Sequence, residues 1–204
     1  MKRAIFLLLL STGVSVSAWA QADSTKWALD VEANNYFFPG SEYIFLPVFH
    51  ADKNWLHLEA RYNYEDLKTF SGWLGYNLEG GNQVTYKVTP MLGLVAGQTR
   101  GFGAGLEYTL TLDKIEWYME SEYVWDSAAK ENNFFYLWSD ITYSVTDHFW
   151  LGVSAQRTRL YKTELDLQRG IIVGGGLKNW ELTSYFYNPH LSNPFFLVTL
   201  SVGF

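Results

Sequence analysis

The sequence predicts an all-β chain, a transmembrane antiparallel up-and-down barrel of twelve strands, with ten as the alternative count. Three observations predict it. Apolar and polar residues alternate with period two in about twelve segments, and no helical period persists after the N-terminal leader. The connections run alternately tight and mostly longer. Aromatic residues make up 18% of the chain, and several lie close to segment ends.

Taken in order, Trp27 to Phe37 sets Leu29, Val31 and Ala33 against Asp30, Glu32 and Asn34. Tyr43 to Ala51 is apolar on both faces and has no readable orientation. Trp55 to Glu65 is the clearest alternation, Leu56, Leu58, Ala60, Tyr62 and Tyr64 opposing His57, Glu59, Arg61, Asn63 and Glu65. Thr69 to Leu78, Val84 to Val95, Phe102 to Leu112 and Ile115 to Trp125 follow, then Phe134 to Val145 and Phe149 to Leu160. Leu167 to Leu177, Trp180 to Tyr187 and the segment from Phe195 to Phe204 complete the set.

Tight turns are expected at Asp52-Lys53-Asn54, Glu79-Gly80-Gly81-Asn82, Asp113-Lys114, Thr146-Asp147-His148 and Lys178-Asn179. Longer connections are expected at Pro39 to Glu42, Gln98 to Gly101, Asp126 to Asn133, Tyr161 to Asp166 and Asn188 to Asn193. Short turns at one end and longer loops at the other are the transmembrane-barrel arrangement. A spanning strand takes about 9–11 residues, and twelve strands leave roughly 15 residues for each strand with its connection.

Both ends carry targeting patterns. Lys2 and Arg3 precede the apolar run from Ala4 to Leu10, and Ala18-Trp19-Ala20 reads as a small-x-small cleavage site. Residues 1–20 are therefore expected to be a signal peptide and 21–204 the barrel domain. The apolar run is too short to cross a bilayer as a helix. In the final segment Phe196, Val198, Leu200, Val202 and Phe204 share one face; Leu197, Thr199, Ser201 and Gly203 share the other. That strand resembles the C-terminal signal of Gram-negative outer-membrane β-barrels, the porin-like class. The resemblance covers the mature length and points to no narrower family. It implies an outer-membrane location and contact with its lipids, lipopolysaccharide included. It also implies recognition of the strand ending on Phe204 by the barrel assembly machinery. An even strand count places both termini in the periplasm.

Losing Lys2 and Arg3 with the leader leaves 13 basic residues against 21 acidic ones, a formal charge of −8. That balance argues against a nucleic-acid partner. Cysteine is absent, so disulfides and thiolate metal sites are excluded. No cofactor, metal or catalytic site is expected.

Alternation does not say which face points outward, since a lipocalin-like soluble barrel is apolar inside. Trp27, Trp55, Trp117, Trp125, Phe149, Trp150 and Trp180 lie near turns or loops, where an interfacial girdle needs them. This favours the apolar face in lipid and the polar face around a lumen. The candidate lumen-lining residues are then Asp30, Glu32, Glu59, Arg61, Lys87, Glu107, Glu116, Glu120, Glu122 and Asp140. Glu116, Glu120 and Glu122, with Glu107 on the neighbouring segment, read either as an acidic stripe favouring cations or as a network neutralised by Arg61, Lys87 or Arg157. The network is the weightier reading, because buried charges need partners, and a watery lumen accommodates both.

Other features have blander readings. Arg157 and Arg159 share a face near the outer end, for lipid phosphates or lumenal acids. His190 and Ser192 form a weak catalytic candidate inside a Pro/Asn-rich turn. The glycines of Arg100 to Gly105 lack the helix that a phosphate loop requires. With those between 170 and 176, they suit a thinned wall with room for Trp73, Trp138 or Tyr185. The expected function is a narrow porin-like channel for small polar or cationic solutes. A non-conducting structural or lipid-binding barrel is the alternative, and a lipid-modifying enzyme is the least favoured.

Overall fold

The computed structural model describes residues 26–40, 43–158 and 167–204. The expected leader, Arg159 and the connection from Tyr161 to Asp166 lie outside the described residues. The strands are β1 Ala28–Phe37, β2 Ile44–Lys53, β3 Leu56–Tyr62, β4 Phe70–Tyr76, β5 Leu78–Gly81, β6 Val84–Ala96, β7 Gly101–Leu112, β8 Ile115–Asp126, β9 Phe134–Thr146, β10 Phe149–Arg157, β11 Gln168–Leu177, β12 Trp180–Tyr187 and β13 Phe195–Gly203. A single 3-10 turn, Lys130–Asn132, interrupts the connection before β9.

Every pairing is antiparallel, β1 pairs with β13, and the sheet closes into a barrel. Twelve staves form the wall, and β5 is a short extra strand in line with β4. Both pair with β6 in one register, Gly75 facing Met91 and Leu78 facing Val88. Tyr76 therefore stands opposite Pro90. Proline has no N–H for the ladder, and the break falls there.

At one end all five connections are two residues long, Asn54-Trp55, Asn82-Gln83, Asp113-Lys114, Asp147-His148 and Lys178-Asn179. Asn54, Asp113 and Lys178 take left-handed backbone, φ 55°, 53° and 59°, as tight hairpin turns require. Three expected turns shift, Thr146 joining β9 opposite Phe149. Pairing runs on through Lys53 and Gly81, so Asp52 and Lys53 belong to β2, and Glu79 to Gly81 to β5. The third strand stops at Tyr62, not Glu65. Pro47 ends the opposing ladder, and Asn63 and Lys68 turn left-handed at φ 60° and 52°, so Tyr64 and Glu65 leave the wall and fold inward.

The faces are inverted relative to a water-soluble barrel. Val153 is 55% exposed between outward Ile141 and Ile171, whereas Arg61 is 2% exposed inside. Trp27, Trp55, Trp117 and Trp180 stand outward near the turn end, and Trp125 stacks on Phe102 at the loop end with centroids 5.0 Å apart. Trp150 departs from the expected girdle. It faces inward over Gly174, where an added Cβ would overlap its ring. The second strand gains an orientation, with Leu46, Val48, His50 and Asp52 inward and Phe45 and Phe49 outward. Arg157 lies opposite in phase to the lumenal Gln156, and its Nη1 donates to the Phe135 carbonyl at 2.5 Å. Among the described residues it pairs with no lumenal acid.

A charge at mid-strand on the outward face must enter hydrocarbon. Val153→Arg is expected to cost about 2–4 kcal/mol and Leu112→Arg, at the turn end, about 0–1. Urea unfolding in phospholipid vesicles measures both.

Candidate functional site

The lumen has two layers. Toward the loops, Tyr36, Leu46, Phe134, Tyr136, Tyr187, Phe195 and Leu197 point inward and pack into a buried apolar cluster. Tyr187 stacks on Phe195 at 4.9 Å, and Phe38 lies 4.7 Å from Phe195. From the level of this cluster toward the turns the inward face is charged, Glu122 standing opposite Tyr136 on β9.

Arg61 is the centre of the charged layer. Its Nε donates to Glu59 Oε2. Its Nη1 lies 2.8 Å from Glu120 Oε1, 3.3 Å from Glu122 Oε2 and 3.9 Å from Glu65 Oε1. The guanidinium also stands over the rings of Tyr64 at 4.3 Å and Trp73 at 5.0 Å. One delocalised cation thus meets four carboxylates, for which a forked donor suits better than an ammonium. The Tyr64 hydroxyl donates to Glu120. Ser71 Oγ and Trp73 Nε1 donate to Glu65 at 2.5 and 3.0 Å. Trp73 lies flat against Gly93 and Gly103, where any side chain would overlap its ring.

His57 extends the network. Nδ1 lies 2.7 Å from Asp52 and Nε2 2.6 Å from Glu59. The ring bridges the two carboxylates, donating at both nitrogens only as the imidazolium. Lys87 Nζ reaches the other oxygen of Asp52 at 3.0 Å, and Asn77 donates to Asp52 at 2.7 Å. Tyr118 donates to Glu107 at 3.2 Å.

The structure therefore places Glu59, Arg61, Glu120 and Glu122 in one cluster, with Glu107 beside His57 at 3.8 Å. Lys87 sits with Asp52. Asp30 and Glu32 sit around His50. Asp140 is separate, accepting from Trp138 Nε1, Ser154 Oγ and Tyr185 Oη at 2.8, 2.5 and 3.0 Å. Glu116 is exposed at the turn-end mouth, with Thr111 3.5 Å away. Sequence reasoning missed His57, Glu65 and Asp52. The first two share the polar phase of Glu59 and Arg61, which was a usable signal, whereas Asp52 was hidden by assignment to a turn. His190 and Ser192 are exposed, and no hydrogen bond joins them.

No family model matches the sequence, and no curated protein matches it. Solved structures do. The chain is similar to a KdgM porin, TM-score 0.61 at 13% identity, over 86% of this chain and 99% of that one. It is similar also to a KdgM porin in complex with disordered oligogalacturonate, TM-score 0.62 at 12% identity with the same coverage. The fold is that of a porin barrel.

Removing Arg61 strands four carboxylates in the lumen. Arg61→Ala is expected to lower stability by about 3–5 kcal/mol. Equilibrium unfolding in vesicles tests it.

Proposed function

We propose that the protein is a narrow porin-like channel of the outer membrane that favours small cations and small polar solutes. The observation that carries this reading is the excess of lumenal carboxylates over cationic groups. Glu59, Glu65, Glu120 and Glu122 share Arg61, and Glu122 and Glu65 each keep one buried oxygen without a hydrogen bond. A confined path lined with excess negative charge concentrates cations and repels anions. The eight acids among the ten lumen-lining candidates, beyond what Arg61 and Lys87 neutralise, act here as the source of that field. The same charge disfavours an oligogalacturonate, a polyanion, as a solute of this chain.

Both termini and the two-residue turns belong in the periplasm, with the longer loops outside. Outer-membrane lipids, lipopolysaccharide included, cover the apolar belt, and the strand ending on Phe204 is the feature that the assembly machinery would read. Among the described residues no hydrogen bond links His190 to Ser192, so the histidine gives a catalytic reading no support. One observation favours a second reading, a non-conducting barrel: buried rings of Tyr36, Tyr187 and Phe195 fill the loop-end layer.

Planar-bilayer recording separates the two. Small current steps are expected, with a reversal potential showing cation preference under a salt gradient. Glu116→Lys together with Glu181→Lys at the turn-end mouth should weaken that preference, and Tyr187→Ala should enlarge the steps. Silence from a folded, heat-modifiable protein would sink the channel.

A further inference from the structure

The geometry points to a divalent transition-metal site on the lumenal wall, formed by Asp30, Glu32 and His50. Asp30 and His50 are direct cross-strand partners on β1 and β2, and Glu32 lies two residues along β1 on the same inward face. One donor atom from each lies within 4.8 Å of the other two. His50 Nδ1 is 3.5 Å from Asp30 Oδ1. This is long for a charge-assisted hydrogen bond. It is close to the roughly 3.4 Å edge of a tetrahedron with metal–ligand bonds of about 2.0–2.2 Å.

Two further observations point to a cation. His50, turned into the lumen, meets carboxylates only through long contacts, Nδ1 to Asp30 and Nε2 to Glu59, which leave room for an ion between the ring and the acids. Its Nε2 faces Glu59 Oε1 at 3.9 Å, and Glu59 is the directly opposed residue on β3. A carboxylate behind the second nitrogen is the arrangement that orients a ligating imidazole and fixes its tautomer. The local charge is also unbalanced. Arg61 serves Glu59, Glu65, Glu120 and Glu122, and Lys87 serves Asp52. No lysine or arginine among the described residues lies within 4.0 Å of Asp30 or Glu32.

One imidazole nitrogen with two carboxylates suits Zn2+, Co2+, Ni2+ or Mn2+; Mg2+ and Ca2+ prefer oxygen alone. All three ligands stand on paired strands, which holds their spacing rigid. The remaining coordination positions face the lumen and are open to water or a passing ligand. The site requires the inward orientation of this face and does not require conduction.

The test uses the mature barrel folded in detergent, cleared of metal with a chelator and titrated with Co2+. A single Co2+ per chain is expected, with a d–d absorption band that Zn2+ abolishes by displacement. His50→Ala should weaken binding about tenfold or more, and so should Asp30→Asn combined with Glu32→Gln. His148→Ala, in a turn, should leave it unchanged. Heat-modifiable migration on gels establishes that each variant is folded. If His50→Ala fails to fold, the near-isosteric Asp30→Asn/Glu32→Gln pair carries the comparison. A folded wild type without the cobalt band overturns the site, as do folded variants that bind as the wild type does. Conductance is scored separately: a silent barrel that binds cobalt keeps the site and loses the channel, and a conducting barrel that ignores cobalt does the reverse.

Discussion

The structure depends on the requirement that no backbone N–H or C=O be left facing hydrocarbon. In a bilayer each unsatisfied group costs several kcal/mol, so a sheet survives only if it has no edge. Pairing of β1 with β13, from Asp30–Gly203 to Phe37–Phe196, meets that requirement by joining the two ends of the described chain. The defects fall where proline cannot donate. Pro90 marks the break between β4 and β5, and beyond Pro47 the β2–β3 ladder ends, with Asn63 Nδ2 donating to the Phe45 carbonyl at 2.9 Å.

Closure turns the hydrophobic pattern inside out. With the bilayer as solvent outside, the apolar face needs no core, and the polar face must satisfy itself within a narrow interior. Buried carboxylates are costly unless a cation and further donors surround them. The network answers this by sharing, one guanidinium among four acids and one imidazole between Asp52 and Glu59. Space limits the network as charge does. Trp73 fits beside Arg61 because its cross-strand neighbours at positions 93 and 103, on β6 and β7, carry no side chain.

The two lumenal layers differ in what they do. The apolar layer at the loop end is formed by residues such as Leu197 and Leu46, which share the inward phase of polar neighbours Thr199 and His50. It narrows the interior with rings. The charged layer begins beside those rings, at Arg61 and Glu122, and runs toward the turns. From the turn side, Glu116 and Glu181 at the mouth precede the Arg61 cluster.

Strand count, turn positions to within a few residues and the outward apolar face were all readable from the sequence. Each rests on a local repeat: period two along a strand, turn residues at its ends and aromatics near the interface. The candidate acids were readable for the same reason, since alternation assigns Glu120, Glu122 and Glu107 to a polar face without knowing what they meet. Asp52 and Glu65 were misassigned, because a turn and a strand end were set by Pro47, Asn54 and Asn63 acting through pairing with neighbours. Who meets whom was decided only by closure. Arg61 lies 61 positions from Glu122, and no pattern along the chain couples them. Rolling the sheet brings opposite walls within hydrogen-bond reach, and the width of the lumen, a property of the whole ring, selects which charges become partners.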